Sequence, residues 1–190
     1  KSPAPSAQQT RLGYGTATGA YYWYRTEAGA DYEETMRAIR SAHVAQGLPV
    51  GWYELDSWFY YKSGNSTGED GGCAEWAARP DIFPHGLPAV HEALGGPLMT
   101  HCKYFSADNV YQHRFHFLKD PESGLADNDT HAIAIPTEQG FWDLLLAKAA
   151  SSGVTLWKQD WLASLFELSH RAGEDVTTAA TFHHQLAQAA

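Results

Sequence analysis

Short apolar or aromatic runs alternate along this chain with stretches of helical periodicity, and that alternation limits the fold more than any other feature. A strand, a helix and a second strand bury their apolar faces together when the helix packs back over a parallel sheet, so the pattern predicts an α/β architecture of successive βα units. Four units are expected. The first strand is read over about Leu12 to Tyr24, and its helix starts at Asp31, where Asp31, Glu33 and Glu34 suit the positive end of a helix dipole. Met36, Ile39 and Val44 supply that helix's apolar positions before Gly47 and Pro49 end it. The second strand, Val50 to Ser57, is followed by an aromatic cluster, Trp58 to Tyr61, a Gly-rich loop to about Pro80, and a helix over Gly86 to Leu94. Pro97 to Tyr104 is the third strand, succeeded by a long loop, Ser106 to Pro136, and a helix from Glu138 to Ala150 with Phe141, Leu144, Leu145 and Ala149 at core spacing. After Gly153 come the fourth strand, Val154 to Asp160, and a last helix, Asp175 to Ala190.

Long segments follow the strands, whereas the returns from helix to strand, Gly47 to Pro49 and Gly95 to Pro97, are short. A (β/α)8 TIM barrel shows this asymmetry because its chemistry is built at the strand carboxyl ends. A doubly wound sheet shares it, but the Gly-x-Gly-x-x-Gly phosphate loop is missing, and Gly13-Tyr14-Gly15 is a weak substitute. The domain reading is therefore a flexible terminus or linker over residues 1–10, rich in Pro, Ser, Gln and Ala, and a partial barrel over residues 11–190 containing about four βα units.

A formal net charge of -9 argues against a nucleic-acid or anionic-membrane surface, which needs a basic stripe. No run approaches the roughly 18 to 20 apolar residues that span a bilayer. Two cysteines, Cys73 and Cys102, do not make a disulfide scaffold, and whether they pair stays open. Asn65-Ser66-Thr67 and Asn128-Asp129-Thr130 are glycosylation triplets in polar, loop-like sequence, so the expected compartment is secretory, secreted or vacuolar, and the protein a glycoprotein.

The chemistry concentrates on two strand ends. In Val154 to Asp160, alternation puts Leu156, Lys158 and Asp160 on one face, and charge on a buried strand face costs several kcal/mol unless paired or hydrated. In Trp52-Tyr53-Glu54-Leu55-Asp56-Ser57-Trp58 the same parity puts Glu54 and Asp56 together, with Asp56 nearer the carboxyl end and Glu54 a polar residue of the barrel interior. Carboxylates accept hydrogen bonds from neighbouring sugar hydroxyls, and Trp and Tyr offer the flat apolar faces on which pyranose rings pack, so a carbohydrate is the expected ligand. Trp58, Trp157 and Lys103 join Asp56 and Lys158 as substrate-binding candidates. Plainer readings stand beside these: Asp160 as a salt-bridge partner of Lys158, Asp56 as a cap on the turn before Trp58, and Tyr21 to Tyr24 as core, stacking surface or interface.

Leu12-Gly13-Tyr14-Gly15-Thr16, Leu55-Asp56-Ser57-Trp58, Arg79 to Leu87 and Trp157-Lys158-Gln159-Asp160, in this order and spacing, resemble the α-galactosidase (melibiase) superfamily of retaining glycoside hydrolases, whose fold is a (β/α)8 barrel. The resemblance implies that Asp160 is the catalytic nucleophile, Lys158 a ligand of sugar hydroxyls that also favours the ionised form of Asp160, and Asp56 a further sugar ligand. Ser57 stands where the family has a second acidic residue, which puts the substrate preference in doubt. A retaining mechanism needs a second carboxyl group about 5 to 5.5 Å from the first. The family draws it from its sixth strand, so this chain is expected to form about half of a barrel, with a second chain or further sequence covering the two exposed sheet edges.

The ten histidines, with His113 and His116 three apart and His101 beside Cys102, follow no metal-binding spacing, and no metal or cofactor is expected. No Gly-x-Ser-x-Gly elbow supports serine hydrolysis. Two functions remain: a glycosidase of α-galactosidase-like type, or a non-catalytic structural or carbohydrate-binding relative acting as an assembly component.

Overall fold

The four apolar runs fold into one sheet. In the computed structural model, which describes residues 10–17, 25–65, 71–120, 132–167 and 169–190, the first elements are β1 (Leu12–Gly15), α1 (Tyr32–Ala45), β2 (Val50–Leu55), β3 (Tyr61–Lys62), β4 (Cys73–Glu75), α2 (Gly86–Leu94) and β5 (Leu98–Cys102). They are followed by β6 (Phe105–Ser106), β7 (Phe117–Asp120), β8 (Ile133–Pro136), α3 (Gln139–Ser151), β9 (Val154–Gln159), α4 (Leu162–Glu167), α5 (His170–Glu174) and α6 (Thr178–Ala189). The first sheet has the order β1-β2-β5-β9, and β1 pairs with β2, and β2 with β5, in parallel. Its spatial order follows chain order without reversal, with one of α1, α2 and α3 between each strand and the next. A doubly wound sheet would reverse at a switch point.

The helix starts follow local chemistry. The Asp31 carboxylate accepts the Glu34 amide (2.8 Å) while the Glu34 carboxylate accepts the Asp31 amide (3.1 Å), a reciprocal pair that satisfies two otherwise orphan donors. Gly95 closes α2 with φ of 62°, where a side chain would be strained. Val44 does not join the core of α1: at 100° per residue it has rotated about 80° from Met36 eight positions earlier, and it is 59% exposed.

The segments expected as loops carry structure of their own. Within Trp58 to Pro80 and Ser106 to Pro136 lie β3, β4, β7 and β8, which with β6 make a second, mixed sheet of order β3-β4-β6-β8-β7. Strands of two to four residues fall below the length at which alternation is readable. The last helix begins at Thr178, because the Asp175 carboxylate accepts both the amide (2.8 Å) and the hydroxyl (2.7 Å) of Thr177, and two short helices, α4 and α5, precede it. The distal part of the expected first strand, including Tyr21 to Tyr24, and nearly all of both glycosylation triplets lie outside the described residues, as does the terminus up to residue 9.

Two compact units emerge. The first comprises Lys1–Phe59, Ala78–His101 and Ser151–Lys158, the second Tyr60–Ala77, Cys102–Ala150 and Gln159–Ala190. In the first, Met36 and Ile39 of α1, Val90 and Leu94 of α2, and Tyr53, Leu55 and Leu98 of the sheet are buried, and Glu33 ties α1 to the start of α2 by accepting the Arg37 guanidinium (2.6 Å) and the His85 amide (3.2 Å). In the second, Phe141 meets Phe105, Phe117, Tyr111 and Trp142 edge-on at centroid distances of 5.0, 5.1, 5.4 and 5.1 Å, the favoured geometry for ring quadrupoles. Leu144 is only half-buried, while Trp142 and Leu146 are buried. Among the described residues no helix is long and apolar enough to cross a membrane.

Candidate functional site at the strand ends

In the first unit, β2 alternates as its sequence requires: Leu55 is fully buried in the core, and Glu54 and Asp56, 8% and 7% exposed, share the other face. The Lys158 ammonium, on β9, donates to Glu54 Oε1 at 2.7 Å and to Asp56 Oδ2 at 3.4 Å. Thr16, just past β1, fixes this corner: its hydroxyl donates to the Glu54 carbonyl (3.1 Å) and accepts the Asp56 amide (3.1 Å) and the Trp58 indole N–H (3.0 Å). Gly15 leaves the space, since a Cβ there would lie 2.9 Å from Glu54 Oε2.

Burial disfavours the Asp56 anion, but the charge of His101, the Ser57 amide bonded to Asp56 Oδ1 at 2.6 Å, and Lys158 together outweigh it and hold the carboxyl below its ordinary value. Two carboxylates around one ammonium can accept hydrogen bonds from adjacent hydroxyls of a ligand. Asp56 and Lys158, both expected as sugar ligands, are thus brought together.

Other expectations are revised. Trp58 is a core residue: it is 1% exposed, with one ring face stacked on Tyr32 at 4.1 Å, and offers no open face to a sugar. Glu54 is buried and polar as read, and it makes the shorter of the two Lys158 contacts. His101, weighed only as a metal ligand, is 1% exposed and acts on Asp56 through its charge. Parity puts Glu54 beside Asp56 but does not reveal its contact with Lys158; nothing local marks His101 or Thr16, whose roles come from neighbouring strands. Trp157 is half-buried.

In the second unit, the Asp160 amide donates to the Cys102 carbonyl at 2.9 Å, continuing the pairing where β9 ends, and Asp160 Oδ1 accepts the Trp161 amide at 2.8 Å. Trp161 has φ of 60°, the sole positive value at a described residue other than glycine. Lys103 is 3% exposed, its ammonium lying 4.2 Å from the Trp161 ring centroid and 4.9 Å from that of Tyr104. The Lys103 amide donates to the Tyr60 hydroxyl (3.1 Å) and its carbonyl accepts the Gln159 amide group (3.3 Å), which fixes the backbone of that lysine. Cys73 and Cys102 are free, buried thiols, and burial with Cys73 alongside pushes the Cys102 thiol well up.

No protein-family model and no curated protein matches the chain. Solved structures do. An α-xylosidase from a soil metagenome, complexed with xylose, aligns over 93% of this chain and 27% of its own length at 13% identity and a TM-score of 0.58. The MutB E254Q mutant in complex with the substrate sucrose aligns over 98% and 43% at 10% identity and 0.53, and a xylosidase from Aspergillus niger over 76% and 20% at 14% and 0.51. The chain therefore spans between a fifth and less than half of these proteins. The likeness is one of fold. The names of these structures refer to xylose and sucrose, so the likeness does not extend to α-galactosidases in particular.

Proposed function

We propose that this chain is part of a (β/α)8 glycoside hydrolase barrel that cleaves an α-linked sugar with retention, Asp160 acting as nucleophile and Asp56 and Lys158 as ligands of sugar hydroxyls. The observation that carries the reading is the Lys158 ammonium held against two buried carboxylates at the strand carboxyl ends, a charged arrangement that core packing does not require. The fold likeness to xylosidases and the motif order support it. The Asp160 carboxylate attacks the anomeric carbon, the glycosidic C–O bond breaks as the leaving oxygen takes a proton from an acid, and water then releases the sugar. That acid is to come from further sequence or a partner chain. In the same proposal the protein works in a secretory compartment.

Aryl α-glycosides test this, because a phenolate leaves with little acid assistance. Asp160→Asn in the natural full-length polypeptide is expected to lower turnover by about 10³-fold or more. Undiminished hydrolysis sinks the assignment.

Two observations favour a second reading, a carbohydrate-binding or structural relative without turnover: Lys158 is already engaged by Glu54 and Asp56, and Trp58 is buried. Such a protein would bind α-glycosides with no release of aryl alcohol.

A further inference from the structure

Trp161 combines three features that no packing argument joins. Its backbone lies at φ of 60°, which glycine or asparagine adopts far more readily. This conformation lets its amide reach back to Asp160 Oδ1 (2.8 Å) while its carbonyl accepts the Leu165 amide (2.8 Å) at the start of α4. A glycine would do both. The indole is not needed for a core, since Trp161 is 42% exposed, and yet it is held in place by the buried Lys103 ammonium 4.2 Å from its centroid.

An indole 42% exposed, with an ammonium over its ring and its backbone amide bonded to the neighbouring carboxylate, suits a ligand with an apolar face and a rim of hydroxyls. We propose that Trp161 is an aromatic platform on which a pyranose ring stacks beside Asp160, making it a specificity-determining residue for α-linked di- or oligosaccharides over simple alkyl glycosides. This rests on the glycoside hydrolase reading. The strained backbone is consistent with function placed ahead of local stability.

The test measures binding separately from turnover. Affinities for α-linked disaccharides of glucose, galactose and xylose are titrated in the full-length Asp160→Asn protein and in the same protein with Trp161→Gly, Trp161→Leu or Trp161→Phe added. The glycine variant relieves the positive φ, so it reports on the ring even if the leucine variant fails to fold. Loss of about ten- to hundred-fold with glycine and leucine, and affinity within about threefold with phenylalanine, is expected. Unchanged affinity in the glycine or leucine variant overturns the platform, as does phenylalanine as weak as leucine, or no saturable binding of any disaccharide. Undiminished turnover in Asp160→Asn would refute the nucleophile assignment alone and leave this binding result standing.

Discussion

At the scale of single residues, the cluster of Glu54, Asp56 and Lys158 makes two demands on stability. Asp56 titrates below its ordinary value in the folded protein, so the unfolded chain binds its proton first as pH falls. Its contribution is therefore complete above the usual aspartate range and is lost as pH drops through the folded value. Denaturant unfolding followed from pH 7 to pH 3 should show a shallower decline in Asp56→Asn than in the natural protein, and equal slopes would remove Asp56 as a linked group. Lys158→Met leaves two buried carboxylates without their ammonium, and a loss of roughly 1–3 kcal/mol in unfolding free energy is expected. A neutral effect would mean that water replaces the lysine.

At the scale of elements, the capping pair at Asp31 and Glu34 sets where α1 begins, and Asp31→Ala should cost about 1 kcal/mol, read as a lower midpoint in thermal or denaturant melts. An unchanged midpoint would show that packing of Met36 and Ile39 alone holds the helix. This start was legible because capping is local, and so were α2, whose limits agree residue for residue, and the places of the four strands, although Thr16, inside the first apolar run, already lies past the end of β1 at Gly15. The second sheet was not legible. β3 and β6 have two residues each and gain their place from partners far along the chain, for example Phe105 opposite Ala134, which no window on the sequence contains. Parity put Glu54 and Asp56 on one face, where both accept from Lys158. It could not foresee that Trp58 turns inward onto Tyr32, because that depends on the hydroxyl of Thr16, forty-two residues earlier, taking the indole N–H.

For the molecule as a whole, a sheet whose strands follow chain order, parallel from β1 through β2 to β5, with a helix between successive strands in sequence, is the frame of the proposed chemistry. The chain covers less than half of each solved structure described above, so activity is a property to be measured on the natural full-length polypeptide. The most direct measurement is covalent trapping. A 5-fluoro-α-glycosyl fluoride slows both steps through the oxocarbenium-like transition state while fluoride leaves readily, so the glycosyl-enzyme accumulates. With xylosyl, glucosyl and galactosyl reagents, peptide mass spectrometry should find the sugar mass on the peptide that carries Asp160, and no label in Asp160→Asn. A sugar mass on another carboxylate, or labelling undiminished in that variant, would contradict the account.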